Sequence, residues 1–221
     1  MNQHFDITSL EISRQDGGSV PNRYYRQAGS PQALAVLFPG LRYTCDKPLL
    51  HYTTSALTTL GMDVLQLWTD YNRAEFASLS QAEQVLWYLE DARSALQTGQ
   101  GQRTYSRLVL VGKSIGTLTM ALLVGQGDSA YIQASTIWLT PLLNLPIVAQ
   151  AAQSLQGKAL IAGGSGDATF DLQILQAIRA QRNVKILVFE GANHSLEIPG
   201  EPRRSVQILG EVVQGIADLF S

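Results

Sequence analysis

The stretch that decides the fold is Arg107 to Thr117, with the sequence R-L-V-L-V-G-K-S-I-G-T. Its four apolar residues, 108–111, predict a buried β-strand that stops at Gly112. The segment after Gly116 is apolar and rich in helix formers, so we expect a helix there. A serine between two glycines, at the junction of a strand and a helix, is typical of a sharp turn that exposes the hydroxyl. The glycines are needed because a Cβ at either position would clash with the crossing strand and helix.

The same residues allow a second interpretation, because Gly112-Lys113-Ser114 matches the end of a phosphate-binding P-loop. That motif needs a glycine five residues before Gly112, and Arg107 occupies that position. The intervening residues are a predicted strand, which leaves no loop to surround a phosphate. The segment is therefore interpreted as G-x-S-x-G, with Ser114 as a candidate nucleophile. Lys113 is expected to be structural, with its side chain pointing away from the site.

Composition restricts the class of protein. The chain has 221 residues and a formal net charge of −2, which fits one soluble α/β domain over residues 1–221. The absence of a strongly basic balance argues against a nucleic-acid partner. No apolar run reaches the length of a membrane span, so no membrane partner is expected. The first residues also lack the pattern of a signal peptide, and we expect a monomer or a homodimer.

Cys45 is the only cysteine. It excludes an internal disulfide, favours a cytoplasmic location and is expected to be a small buried hydrophobic residue. One cysteine and three scattered histidines give no metal-ligand spacing, so no metal is expected. The glycine-rich segment 163–166 lacks the G-x-G-x-x-G pattern of nucleotide binding. Chemistry without a cofactor is therefore the simpler expectation.

Predicted strands and helices alternate along most of the chain, which favours a mostly parallel, doubly wound sheet of about eight strands. Residues 5–13 and 20–27 are the exception, because they alternate on either side of a turn at 16–19 and predict an antiparallel hairpin. A short connection joins the strand predicted at 134–139 to a helix at about 146–155. We therefore expect an α/β fold without a helical lid domain.

Three residues with chemically useful side chains follow predicted strands, and such strand ends form the ligand site of an open parallel sheet. Their order in the chain is Ser114, Asp167, His194. This order and placement resemble the α/β-hydrolase family, whose serine lies on an elbow and whose acid and histidine follow later. The resemblance covers nearly the whole chain. It is to small members without a lid, the dienelactone-hydrolase-like proteins and small carboxylesterases.

The resemblance implies a role for each site residue. Ser114 would be the nucleophile, His194 the general base, and Asp167 the acid that orients His194. Two backbone N–H groups would form the oxyanion hole, those of Ile115 and Leu41. The segment Phe38-Pro39-Gly40-Leu41 resembles the H-G-x turn of the family, with proline in place of histidine.

The base and the acid each have competitors in the sequence. His4 lies near the terminus and His51 falls in a predicted helix, so His194 is preferred as the base. Asp171 is close to Asp167 but is expected in the first turn of the next helix, where a carboxylate is stabilised by the helix dipole.

Residues that could line the substrate pocket come from the same strand ends. Arg42 and Arg73 could bind a substrate carboxylate or phosphate, or they could be solvated surface residues. For Tyr71 and Trp138, ordinary packing is an equally good interpretation. The candidates are Arg42, Tyr43, Tyr71, Asn72, Arg73, Trp138 and Leu142.

The resemblance implies a serine hydrolase that cleaves an ester or a similar acyl bond of a small molecule through an acyl-enzyme. Two alternatives remain open at this stage. The same triad could support acyl transfer, thioester hydrolysis or peptide cleavage, because a fold and a triad do not set the acceptor or the leaving group. A non-catalytic binding protein on this fold is the other alternative, although no part of the motif is broken.

Overall fold

The structure is a computed structural model that describes residues 5–14, 17–179 and 181–221. It contains one eight-stranded sheet in the described chain. The strands are β1 (Phe5–Thr8), β2 (Asn22–Gln27), β3 (Ala33–Phe38), β4 (Asp63–Leu67), β5 (Arg107–Lys113), β6 (Ser135–Leu139), β7 (Ala159–Gly164) and β8 (Val184–Phe189). Their order in space is β1-β2-β4-β3-β5-β6-β7-β8. Strand β2 is antiparallel to both of its neighbours, and the remaining pairs are parallel. The predicted α/β architecture is thus confirmed.

Helices lie on both faces of the sheet. They are α1 (Pro48–Thr59), α2 (Ala74–Ala77), α3 (Gln81–Gln100), α4 (Ile115–Val124), α5 (Ser129–Gln133), α6 (Pro146–Gln153), α7 (Leu172–Arg179) and α8 (Pro202–Phe220). Leu57 of α1 and Val212 of α8 belong to the core on one face. Met120 of α4, Val148 of α6 and Ile178 of α7 belong to the core on the other face. Helices therefore cover both faces of the sheet, which explains why its central strands are apolar on both sides.

The N-terminal hairpin is confirmed, with Ile7 opposite Tyr25 in an antiparallel pair. Strand β1 ends at Thr8, earlier than the alternation suggests. An isolated bridge joins Ser13 to Ser19. Asp16 of the predicted turn lies outside the described residues, as does His4.

Local signals explain several helix ends. The side chain of Ser80 accepts from the Glu83 N–H while the Glu83 carboxylate accepts from the Ser80 N–H, so a capping box begins α3. The short helices α2 and α5 were not expected, because four or five residues carry too little periodicity to predict a helix. Asp171 precedes α7, and its carboxylate accepts from the N–H of Gln173 at 2.8 Å and of Ile174 at 3.2 Å.

The arrangement leaves the carboxyl ends of the parallel strands open. Residues 140–145 alone connect β6 to α6, as expected for a fold without a lid. Strand β5 lies between β3 and β6, so the loops after β3 and β5 are neighbours. Within the described ranges, no helix is both long and apolar enough to span a membrane.

Candidate active site

Ser114 lies on a strained turn between β5 and α4. Its φ is 54° and its ψ is −117°, values that are costly for a residue with a Cβ. Gly112 and Gly116 allow the turn because strand and helix cross closely. A Cβ at Gly112 would lie 2.6 Å from the Gly116 carbonyl oxygen, and one at Gly116 would overlap the carbonyl oxygen of Phe38. The steric role predicted for the two glycines is therefore present.

The structure brings Ser114, His194 and Asp167 together in one hydrogen-bonded chain. Ser114 Oγ lies 2.7 Å from Nε2 of His194, and Nδ1 of His194 lies 2.6 Å from Oδ2 of Asp167. The Asp167 side chain is 3% exposed and that of His194 is 38% exposed. The acid is thus shielded from water while the imidazole remains reachable from the solvent side.

Two features hold the acid against the histidine. Thr169 donates hydrogen bonds to Oδ1 of Asp167 from its N–H at 2.9 Å and from its hydroxyl at 2.8 Å. A Cβ at Gly164 would overlap the carbonyl oxygen of Ala192, so the loops after β7 and β8 touch through backbone. Thr169 was not among the predicted site residues. A hydroxyl two residues after the acid was the available signal, since such residues often bond locally to an aspartate.

The loop after β3 is a tight turn against the nucleophile. Gly40 N–H donates to the Tyr43 carbonyl at 3.0 Å, and Tyr43 N–H donates back to Gly40 at 3.3 Å. A Cβ on Gly40 would be 3.5 Å from Cβ of Ser114. In the described chain, neither Leu41 N–H nor Ile115 N–H donates to a protein acceptor. Both amides therefore remain available to a ligand at this end of the sheet.

A cavity of about 440 Å³ opens beside this turn, between the ends of β3 and β4. Leu41, Arg42 and Asn72 are part of its lining. Asn72 donates to the Leu41 carbonyl at 2.7 Å and accepts from Nε of Arg42 at 3.3 Å. The candidates Arg42 and Asn72 are therefore adjacent to the predicted oxyanion turn. Arg73 instead forms an exposed ion pair with Glu75 at 3.2 Å.

Two pocket candidates prove to be wrong. Trp138 is fully buried, with 0% exposure, in the core beneath α4 and α6. Tyr71 is 5% exposed and packs against Phe76 and Tyr88. Its hydroxyl donates to Oδ2 of the buried Asp91 at 3.4 Å. Neither ring offers a surface to a substrate, because both serve as packing groups.

Two other candidates make hydrogen bonds that connect the site to neighbouring elements. Tyr43 is half-buried, and its hydroxyl accepts from the Leu49 N–H at 3.0 Å, so it caps α1. Leu142 donates through its N–H to the Thr117 hydroxyl at 3.2 Å, and that hydroxyl donates to the Ser114 carbonyl at 2.6 Å. These contacts tie the elbow and the oxyanion turn to neighbouring helices and loops.

Lys113 was predicted to be structural and to point away from the site. Its Nζ donates to the backbone carbonyl of His194 at 2.9 Å. Cys45 is buried as predicted, with 2% exposure, and burial raises the pKa of its thiol. In the ranges that the structure describes, no three side chains are grouped in a way that could hold a metal ion.

No protein-family model and no curated protein matches this sequence. Many solved structures match its fold. An α/β serine hydrolase homologue from Coxiella burnetii has a TM-score of 0.64 at 16% identity, covering 97% of this chain and 98% of its own. A serine hydrolase without a lid from Xanthomonas campestris has a TM-score of 0.65 at 15% identity, with coverages of 99% and 96%. A dienelactone hydrolase-like promiscuous phosphotriesterase from metagenomic libraries has a TM-score of 0.67 at 19% identity, with coverages of 97% and 99%.

These similarities extend over nearly the full length of each chain. They agree with the strand order, the antiparallel N-terminal pair and the short connection after β6. The chain therefore has the α/β-hydrolase fold, in a small form without a lid.

Proposed function

We propose that this protein is a serine hydrolase that cleaves an ester or a similar acyl bond of a small substrate through an acyl-enzyme. The observation that carries the proposal is the hydrogen-bonded chain from Ser114 through His194 to Asp167, with distances of 2.7 and 2.6 Å. A serine hydroxyl is a weak nucleophile unless a base takes its proton. The imidazole is within hydrogen-bond reach of that proton, and the acid is within reach of the opposite ring nitrogen.

Each step of the reaction uses one of these contacts. The Ser114 oxygen attacks the substrate carbonyl as its proton passes to Nε2 of His194. His194 then gives that proton to the leaving group, which departs and leaves an acyl-enzyme. Water repeats the sequence and releases the acid. Asp167 keeps the Nδ1–H of His194 pointing toward the carboxylate, so that Nε2 faces the serine.

The proposed oxyanion hole consists of the N–H groups of Leu41 and Ile115. Backbone donors aimed at the developing negative charge stabilise the tetrahedral intermediate without moving during the reaction. Asn72 supports this assignment because it fixes the Leu41 carbonyl at 2.7 Å and so orients the turn. The loss of one such donor typically lowers kcat by about 10²–10³.

The open strand ends favour a small or exposed substrate. Residues 140–145 are too short to cover the site, and Leu41 is 43% exposed at its edge. The structural neighbours support the hydrolase class, since they include an esterase from Pyrococcus furiosus. The proposal names an ester because an activated serine attacks an ester more readily than an amide, whose leaving group is poorer.

A fluorophosphonate probe tests the proposal directly. The wild type should take up about one label per chain, and Ser114→Ala should take up none, because only an activated serine reacts. Ser195→Ala is the matched control, since Ser195 follows His194 in the chain and its N–H donates to Oδ1 of Asn193 at 2.8 Å. Equal labelling of the wild type and Ser114→Ala would refute the proposal.

A substrate panel then tests the leaving group. Nitrophenyl esters, the corresponding thioesters and peptide anilides should be compared on the wild type, with Ser114→Ala as the blank. We expect the ester to have the highest kcat/KM. Faster turnover of the thioester or the peptide would replace the esterase assignment with the corresponding alternative.

A further inference from the structure

Lys113 is a buried cation on the nucleophile turn. It lies between Gly112 and Ser114, and its side chain is among the largest that are fully buried, with 2% exposure. Lysine is almost never fully buried unless it is paired. A charge in this position therefore needs a physical reason, and the reaction scheme above does not use it.

The side chain of Lys113 joins three parts of the site. Its Nζ donates to the carbonyl oxygen of His194 at 2.9 Å. The same Nζ lies 4.8 Å from the centre of the Tyr43 ring, within the range of a cation–π contact. A Cβ on Gly40 would lie 3.2 Å from Cδ of Lys113, so the lysine stem packs against the oxyanion turn. One side chain thus contacts both the proposed oxyanion turn and the histidine loop, from the residue before the nucleophile.

Within the histidine loop, residues 193–197, short hydrogen bonds also connect neighbouring residues. Oδ1 of Asn193 accepts from the N–H of Ser195 at 2.8 Å and of Glu197 at 3.2 Å. Asn193 N–H donates to the Glu197 carbonyl at 2.9 Å. These bonds shape the loop but do not attach it to β5. The Lys113 ammonium supplies that attachment, at the backbone of the residue whose side chain must meet Ser114.

We propose that Lys113 is a positioning residue for the hydrolytic reaction, in which its ammonium anchors the backbone of His194 and holds the histidine loop to β5. This inference rests on the proposed function. The ammonium contacts the backbone of His194, so Lys113 acts through His194.

The charges around Lys113 are consistent with this role. Burial lowers the pKa of Lys113 to about 8, and the negative charge of Asp167 acts in the opposite direction. Asp167 follows β7, Tyr43 follows β3, and His194 and Glu197 follow β8. Burial raises the pKa of Tyr43, and the charge of Glu197 adds to that effect. At neutral pH the Lys113 ammonium is thus the positive charge in a group that also contains the Asp167 carboxylate, the neutral Tyr43 phenol and the His194 imidazole.

Lys113→Met is the main test, because methionine keeps an unbranched stem and removes the ammonium. We expect kcat for a nitrophenyl ester to fall about 10- to 100-fold, with KM changed less than about threefold. Lys113→Arg keeps the cation and should return kcat toward that of the wild type.

Lys158→Met is the matched control. Lys158 also donates to a backbone carbonyl, that of Leu219 at 3.1 Å, but at the opposite end of the sheet. We expect its kcat and KM to equal those of the wild type. Amide hydrogen exchange over residues 193–197 is a second measurement that needs no activity. Exchange there should be roughly tenfold faster in Lys113→Met than in the wild type, because the loop has lost its anchor to β5.

The outcomes separate this inference from the proposed function. Wild-type activity no greater than that of Ser114→Ala would refute the hydrolase, while the exchange data would still decide whether Lys113 holds the loop. Normal wild-type activity with unchanged kcat and exchange in Lys113→Met would refute the role of Lys113 alone. A fall in kcat without faster exchange over residues 193–197 would also refute it, because the loop would then have kept its anchor.

Discussion

Lys113→Met should stabilise the fold at neutral pH although it lowers activity. Burial lowers the pKa of Lys113 from 10.5 to about 8 in the folded protein. That change corresponds to about 3 kcal/mol of unfavourable free energy for keeping the charge inside. Below pH 8 both the folded and the unfolded lysine hold their proton, so the unfavourable term is fully present. Between pH 8 and 10.5 the folded lysine releases its proton first, and stability from this group rises with pH.

Part of that gain is offset in the variant. The His194 carbonyl loses its donor, which costs about 1 kcal/mol. The contact between the ammonium and the Tyr43 ring is also lost, which costs about 0.5–1 kcal/mol. A net stabilisation of about 1–2 kcal/mol remains at pH 7. For a chain of this length it should raise Tm by about 2–4 °C per kcal/mol.

Urea unfolding at pH 7 and pH 10 measures this effect. At pH 10 the folded wild-type lysine is neutral, so the unfavourable term for its buried charge is mostly gone, and the change between the two pH values reports the titration of Lys113. We expect the advantage of Lys113→Met to shrink by about 2 kcal/mol between pH 7 and pH 10. Lys158→Met reports the loss of a surface lysine under the same conditions. An advantage of Lys113→Met that is absent at pH 7, or that grows toward pH 10, would refute the reasoning.

Four further substitutions or reactions test other parts of the structure. Thr169→Val removes a hydroxyl that donates to Asp167 at 2.8 Å, so steady-state kcat should fall about tenfold with little change in KM. Gly116→Ala would press a Cβ onto the backbone at the end of β3, and urea unfolding should show a loss of more than about 2 kcal/mol. Gly210→Ala on α8, where a Cβ meets open space, should instead be neutral or gain up to about 1 kcal/mol. Burial raises the pKa of the Cys45 thiol, so iodoacetamide should label it in denaturant but not in the folded protein, as mass spectrometry would show.

Most of the fold could be predicted because the signals were local and agreed with one another. Buried strands such as Ala33–Phe38 are continuous apolar runs, and double coverage by helices requires that pattern. The elbow was predictable for a steric reason, since only glycine fits at Gly112 and Gly116. The positions of Ser114, Asp167 and His194 followed from a topological rule, because residues after parallel strands collect at one edge of the sheet.

Side-chain surroundings were harder to predict, because they depend on packing between distant segments. Trp138 lies near the end of a strand, where site residues are expected, yet it belongs to a buried core that also contains residues of α4 and α6. Tyr71 occupies a loop position, but a cluster that includes Phe76 buries it. Lys113 lies at the end of a strand whose Val109 and Val111 face the core beneath α1 and α8. That alternation indicates the face on which Lys113 lies, but it does not indicate that the His194 carbonyl lies within reach of its ammonium.

The strain at Ser114 carries a consequence for how relatives of this chain should diverge. Its φ of 54° suits glycine better than serine, and its neighbour Lys113 is a buried cation. If the reaction were no longer under selection, we would therefore expect Ser114 to be replaced by glycine and Lys113 by an apolar residue. A descendant with both replacements and an intact sheet would mark a lineage that kept the fold and abandoned the reaction.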